Sequence, residues 1–397
     1  MGIDQQFPTS GEKSRSRRTI MGGMRPRNIL VAIAAASLLF VPWRGESQEL
    51  KPVFPGANWE RVKPEAVSTS SARLEVLRSW LKTQKTTAMM IVVGGRSIFE
   101  YGDITRVSKV ASIRKSILAM LYGKYVAEGK IDLNTTVKEL GLDDVKPFLP
   151  IEERATLLQI LTARSGIYHE SANTGLNAAN PQRGSHAPGT YFQYQNWDFN
   201  AAGTAFEKLV GRDLYDVLES DLAKPLEMQD FDRRRQKKIT SMPQSVHPEY
   251  AMYLSTRDMA RLGFLMLRKG QWNGRQLLPA GWSERITTLV THDDQIRPEG
   301  AGGGLGLATV AQRWGYGMLW WVWDAPATPG AITGPYSGAY MAMGSNGQFI
   351  TVLPAADAVV VHKVDIDADE TPDVSLGEFM TSLGIYLASY CGDGDCK

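Results

Sequence analysis

The sequence predicts an α+β protein: an antiparallel sheet assembled from both ends of the chain and flanked by helices, with a mostly helical subdomain inserted at about 130–270. Three observations carry this reading. Residues 88–102, "AMMIVVGGRSIFEYG", hold two apolar runs either side of Gly94-Gly95, the pattern of a β-hairpin whose turn needs φ > 0. The stretches 338–344, 348–354 and 358–364 read as an antiparallel meander, with turns at 344–347 and 354–357. Between these strand-rich ends, apolar residues recur at helical spacing.

The elements follow in order. Arg15, Arg17, Arg18, Arg25 and Arg27 precede "ILVAIAAASLLFV" (29–41), an apolar run of 13 residues. That is short for a membrane span and fits the central region of a signal peptide, with small residues in "GES" (45–47) before a cleavage point. Residues 1–47 are therefore predicted to be an export signal, the only part expected to meet a membrane, and 48–397 the mature domain, exported to the periplasm. Residues 71–84 place Leu74, Leu77, Trp80 and Leu81 on one helical face. A second helix starts at 112, with Ile117, Leu118, Leu121 and Tyr125 on one side and Gly129 as its stop. Helical patterns recur at 155–163, 198–211, 214–223 and 256–269, and a last helix is expected at 374–390.

Composition narrows the class. Of 397 residues, 43% are hydrophobic and 22% charged, a globular mix that needs neither a disulfide framework nor a metal to build a core. The net charge of +2, with no long run of one sign noted beyond the N-terminal cluster, asks for no nucleic-acid partner. Ten tryptophans are assigned mainly to core packing. The two cysteines, Cys391 and Cys396, stand in "CGDGDCK" and read as a small terminal disulfide in an exported protein. The histidines at 169, 186, 247, 292 and 362 show no ligand spacing, so no metal or other cofactor is expected. A Ser-His-Asp hydrolase fits poorly, because no Gly-x-Ser-x-Gly turn is present.

Ser-x-x-Lys occurs at Ser10/Lys13, Ser79/Lys82 and Ser112/Lys115. Common residues give such matches by chance, and the first two lie in the leader and on the polar side of a helix. Ser112/Lys115 differs, because it sits at a strand-to-helix junction where the lysine lies one turn beyond the serine. There the serine can simply cap the helix; as chemistry, a lysine that burial strips of proton affinity can activate the hydroxyl. Tyr194 and Asn196, in "HAPGTYFQYQNWDFN", follow a Pro-Gly turn and open the next helix, so both can be aimed into a cleft. A phenol beside an ammonium can have a lowered pKa and share its proton. Ser171-Ala172-Asn173 is a competing Ser-x-Asn without such a turn. "GSNGQ" (344–348) joins two predicted strands, and a strand N–H there can complete an oxyanion hole with that of Ser112.

Taken together, "SIRKS", "ATLLQILTARSGIYHE", "PGTYFQYQNWDFNAAG", "KPLEMQDF", "YLSTRDMARLGFLMLRKG" and "GSNGQFITVLP" resemble the serine β-lactamase-like hydrolases, in the branch of class C β-lactamases, esterases and 6-aminohexanoate-dimer hydrolases. The resemblance spans about 87 to 387 and implies a β-lactamase-like fold. It implies Ser112 as the acylated nucleophile, Lys115 as its base, Tyr194 as the second proton-transfer group and Asn196 as the side chain that orients Lys115 or substrate. Ser345, Asn346 and Gly347 fall where the family has Lys-Thr-Gly or His-x-Gly, which leaves Gln348 to supply the second oxyanion N–H. Tyr168 sits near a substrate-contacting tyrosine of the nylon-oligomer hydrolases. Arg114 is expected to point off the Ser112/Lys115 face. The cation usual in the third motif is missing at Ser345, which favours an amidase or esterase acting on a small-molecule amide or ester. A β-lactamase or D-Ala-D-Ala-type peptidase, or a non-catalytic binding protein of the same fold, is the alternative; oligomeric state is not set by the sequence.

Overall fold

The computed structural model describes residues 51–173, 180–296, 313–324, 334–368 and 373–391, all within one compact unit, Trp43–Lys397. The leader predicted at 1–47 lies outside the described residues. Helix α1 (Ser71–Leu81) is capped by the Ser70 hydroxyl and buries Leu74, Leu77 and Leu81, the predicted face. Strands β1 (Ala88–Val93) and β2 (Arg96–Gly102) form the expected hairpin. Its turn needs Gly95, where φ is +83° and an added Cβ would lie 1.8 Å from the Val53 carbonyl oxygen. Then come β3 (Ser108–Lys109) and α2 (Ile113–Ala127).

The middle of the chain carries α3 (Val137–Leu140), α4 (Leu157–Leu161), α5 (Asn196–Val210) and α6 (Leu214–Val217), the last running on into a π-helical turn, Leu218–Ala223. It also contains a hairpin, β4 (Lys237–Ser241) and β5 (Ser245–Ala251), which the sequence reading passed over, and β6 (Tyr253–Leu254), which pairs with β3. Strand β4 is exposed and rich in lysine, so it shows no apolar alternation. Helix α7 (Thr256–Leu267) packs on the main sheet rather than on the helices before it: a Cβ on its Gly263 would lie 2.5 Å from Val359 Cγ1 and 2.7 Å from Ile350 Cγ2. A short hairpin, β7 (Gln271–Trp272) and β8 (Arg275–Gln276), and helices α8 (Trp282–Ile286) and α9 (Asp293–Ile296) follow.

Strands β9 (Trp314–Tyr316), β10 (Trp321–Trp323), β11 (Tyr340–Gly344), β12 (Gln348–Leu353) and β13 (Ala358–Lys363) complete a seven-stranded sheet in the order β2-β1-β13-β12-β11-β10-β9, antiparallel throughout. Both chain ends build it, as predicted: Ala88 of β1 lies opposite Lys363 of β13. Strand β13 is buried along its whole length, as a central strand covered on both faces must be. On β12, Ile350 meets α7, and the next residue, Phe349, turns the other way to stack on Phe379 of α10 (Leu376–Ala388), ring centroids 4.1 Å apart. The tryptophans behave as assigned: Trp197, Trp272, Trp282, Trp314, Trp320 and Trp321 are buried. Strands β9 and β10 were not anticipated, because "WGYGMLWWVWD" is apolar at nearly every position and shows no period of two.

Candidate active site

The nucleophile candidate is positioned by a strained junction. Ala111, between β3 and α2, has φ +47°, a left-handed conformation unfavourable for any residue with a Cβ. Ser112 follows at the N-cap of α2, but its hydroxyl makes no capping hydrogen bond. It turns instead to Lys115, whose Nζ lies 2.8 Å from Ser112 Oγ, 2.8 Å from Tyr194 Oη and 2.9 Å from Asn196 Oδ1. The structure thus brings together all four residues named from the two motifs.

Tyr194 and Asn196 reach this point because their loop is pinned. Gly189 N–H donates to Arg164 O at 2.7 Å and Gln193 N–H to Ala163 O at 2.9 Å. The Tyr194 ring packs against Phe199 at 4.8 Å, Trp321 at 5.5 Å and Tyr316 at 5.9 Å between centroids. Asn196 opens α5 without capping it, and its amide donates to the Asn173 carbonyl at 3.5 Å. Asn173, from the motif ranked lower, therefore backs the same constellation, and its own side-chain oxygen accepts from Asn200 at 2.9 Å.

Electrostatics decide the protonation states. Burial, followed by the adjacent Arg114 guanidinium, pushes Lys115 well below the ordinary lysine value of 10.5; Glu249 opposes this weakly. The faces of Tyr194 and Phe199, 4.3 and 4.4 Å from Nζ, favour the ammonium by about 1–2 kcal/mol. That is less than the cost of burying a charge with no carboxylate in bonding reach. Burial and Arg114 thus make Lys115 a readier proton acceptor than an exposed lysine. Tyr194 moves the other way from the sequence expectation: burial pushes its phenol up to about 12, and the Ser112 hydrogen bond and Arg114 only partly offset this. The lowered phenol pKa was expected from an ammonium neighbour, and burial outweighs any such effect.

These groups line a cavity of about 580 Å³. One wall is polar: Lys109, Arg114, Asn173 and Glu249. Lys109 Nζ lies 3.1 Å from Glu249 Oε1, and Arg114 donates to Asn200 Oδ1 at 2.8 Å with its Nε 3.8 Å from Glu249. Arg114 was expected to point off the site; it is buried in this wall, because its neighbours on α5 and β5 satisfy its charge. The lining also has apolar members, Trp321, Met343, Phe349, Ile366, Val374 and Leu376, and includes the turn Gly344–Gly347. None of Lys109, Glu249 and Trp321 belongs to a recognisable motif, so the sequence carried no signal for them.

Two expectations need correction. Gln348 does not line the cavity; it lies in β12, fully buried, opposite Gly344 in the ladder, with its side-chain amide 2.6 Å from Val364 O. The turn residues Ser345, Asn346 and Gly347 do line it, and Gly344 packs so closely that a Cβ there would lie 2.7 Å from Val110 O and 3.1 Å from Ser112 N. Tyr168 is buried away from the cavity, its hydroxyl 3.1 Å from His186 Nδ1. His247 is buried in β5 against Thr204. Cys391 is disulfide-bonded, and Cys396, the other cysteine of the chain, lies outside the described residues. Among the described residues no group of three or more His, Cys, Asp or Glu could hold a metal ion.

Comparison with known proteins follows this geometry. The chain is similar over 80–84% of its length to solved structures of low sequence identity. One is a Bacillus anthracis protein described as a 6-aminohexanoate-dimer hydrolase (TM-score 0.56, 18% identity, covering 83% of this chain and 86% of that one). Another is a family VIII carboxylesterase (TM-score 0.57, 12% identity, 84% and 99% covered). A third is a protein of Bacteroides dorei described as a β-lactamase (TM-score 0.56, 15% identity, 80% and 98% covered). An uncharacterized protein of Alkalihalophilus pseudofirmus is 22% identical over 277 residues, 64% of this chain and 72% of its own. The Beta-lactamase family profile matches residues 83–373, from just before β1 to just before α10 and so across the whole sheet and most of the cavity lining, and the chain belongs to that family of serine hydrolases.

Proposed function

We propose that the protein cleaves an amide or ester through an acyl-enzyme on Ser112. The observation that carries this reading is the placement of one buried amine of lowered pKa, Lys115 Nζ, within 2.8 Å of both Ser112 Oγ and Tyr194 Oη. Lys115 takes the hydroxyl proton as Ser112 Oγ attacks the carbonyl carbon. The proton passes through the Lys115–Tyr194 pair to the leaving group, and the same pair then deprotonates the water that hydrolyses the acyl-enzyme. Asn196 holds the lysine in register. The oxyanion is held by the N–H of Ser112 and that of Ser345, which replaces Gln348 in this role: Gly344 is pressed against the Ser112 backbone, and Ser345 is the next residue along the cavity edge.

The third-motif strand supports the choice of substrate. From Tyr340 to Gly347 it offers no cation, and Met343 and Ser345 face the cavity instead. The cations in the lining, Lys109 on β3 and Arg114 on α2, are engaged with Glu249. This favours an uncharged ester or amide over a β-lactam or D-Ala-D-Ala peptide. The test is incubation with a fluorophosphonate and with p-nitrophenyl esters. Covalent labelling and turnover must disappear together in Ser112→Ala, and a variant that hydrolyses like the parent refutes the assignment. Nitrocefin turnover faster than ester turnover would favour the β-lactamase alternative.

Export to the periplasm belongs to the same proposal. It rests on the arginine-flanked apolar run at 29–41 and on a disulfide at Cys391, which an oxidising compartment maintains. Fractionation of cells producing the full chain, with N-terminal sequencing of the product, tests it: a mature N-terminus near Gln48 in the periplasmic fraction is expected, and intact protein in the cytosol is the opposing result.

A further inference from the structure

Residues 233–238, "RRRQKK", hold five cations in six positions, and the fold divides them. Arg233 pairs with Asp216 at 2.6 Å and with Asp213 at 2.7 Å, and Lys238 lies 2.9 Å from Asp213. Arg234 pairs with Asp232 at 3.0 Å. Arg235 and Lys237 are exposed and form no ion pair among the described residues; Lys237 only stands over the Tyr253 ring, 5.9 Å from its centroid.

Both line a second cavity, of about 600 Å³, separate from the catalytic one. Arg234 and Tyr253 line it too, and Arg106, ion-paired to Asp365, closes the far side with Asp367. Four cations thus face two carboxylates inside one concavity, and Arg234 is neutralised from outside it. Like charges gathered in a concave, partly desolvated site raise the local potential and draw a counter-anion. Guanidinium forks fit the oxygens of a phosphate in pairs, and a lysine adds a point charge.

We propose that this cavity binds a phosphate group, free or as part of a larger molecule. Strand β3 links it to the catalytic cavity. Lys109, which lines the catalytic cavity, pairs with Tyr253 in the β3–β6 ladder and donates its backbone N–H to Asp367 Oδ2 at 2.8 Å. The proposal goes beyond the hydrolytic reading and does not depend on it.

The test titrates the full chain by calorimetry with inorganic phosphate, with glycerol phosphate and with phosphatidylglycerol vesicles, against chloride at matched ionic strength. The double variant Arg235→Gln/Lys237→Gln is titrated alongside. Saturable binding of either soluble phosphate, weakened at least tenfold in the double variant with p-nitrophenyl ester turnover unchanged, establishes the site and a free ligand. Binding of vesicles alone, lost in the same variant, establishes it with a lipid headgroup as the source. No binding beyond chloride, or equal binding by parent and variant, overturns it.

Discussion

Arg114 and Lys115 are consecutive in the first turn of α2, both are buried, and the guanidinium of the first adds to burial in lowering the pKa of the second. Two cations side by side in a core would ordinarily be destabilising. Here Glu249 and Asn200 engage Arg114, while Lys115 has no carboxylate within bonding reach among the described residues.

This fixes the sign of the pH dependence. A base must be deprotonated to work, so kcat/KM rises with pH through the lowered Lys115 pKa and then stays level. No falling limb is expected until Tyr194 ionises near 12. Glu249 favours the ammonium. Glu249→Gln therefore moves the rising limb to lower pH, and a limb that stays or moves upward would separate Glu249 from the base.

Tyr194→Phe keeps the ring packed against Phe199 and Trp321 and removes only the hydroxyl. A drop in kcat of about 10²–10⁴ is expected for the loss of one proton-transfer group. The thermal midpoint should stay within a few degrees of the parent. A variant with full kcat would assign proton transfer to Lys115 alone.

Gly344→Ala introduces a methyl 2.7 Å from Val110 O and 2.9 Å from Gln348 Cβ. The strand must move away from Ser112, at about 1–3 kcal/mol in stability. The oxyanion donor on that strand moves with it, so kcat should fall by about 10²-fold or more. Denaturant unfolding and steady-state kinetics on one preparation separate the two effects.

Stability should depend on a buried cluster that takes no part in the chemistry. Glu152 is fully buried; burial would raise its pKa, but His169 Nε2 at 3.4 Å and hydrogen bonds from Arg183 and the Leu149 N–H outweigh this and hold it at about 2. Asp144 is likewise held low against burial by His169, Trp197 and the Val246 N–H. His169, between the two carboxylates, is raised above 6.5 although burial opposes it. The depressed carboxylates stabilise the fold above pH ~4.5 and lose that contribution as pH falls toward 2, while the contribution of His169 is complete below 6.5 and lost as pH rises through its raised pKa. Urea midpoints should be highest between those limits, and Glu152→Gln should flatten the acid side. An unchanged acid slope in that variant would place the sensitivity elsewhere.

Much of this was legible because it depends on local spacing. The β1–β2 hairpin announced itself through Gly94-Gly95, and Ser112, Lys115, Tyr194 and Asn196 through motifs whose geometry a turn or a helix sets within a few residues. What could not be read was tertiary. Strands β9 and β10 are covered on every side and so lose the alternation that marks a strand. Glu249 enters the cavity from a hairpin that carries no apolar pattern. Gln348 was misplaced by a few residues at a turn, and since the side-chain period of a strand is two, even one residue moves a side chain from the cavity into the core. Asn173 was ranked low for want of a turn beside it; its support comes from Asn196 and Asn200, both on α5. The basic run at 233–238 was passed over because its charges matter only once their partners are known.

The pairing of Ala88 with Lys363 also dictates when the enzyme can first work. A ribosome that has made Ser112, Lys115, Tyr194 and Asn196 has still not made the turn at Gly344–Gly347 or the central strand β13. The cavity lacks one side until those last segments are in place, so the nascent chain carries the proposed nucleophile and base without a site to use them in. Closing so long a loop is slow, and β13 must be made and paired before the site is whole.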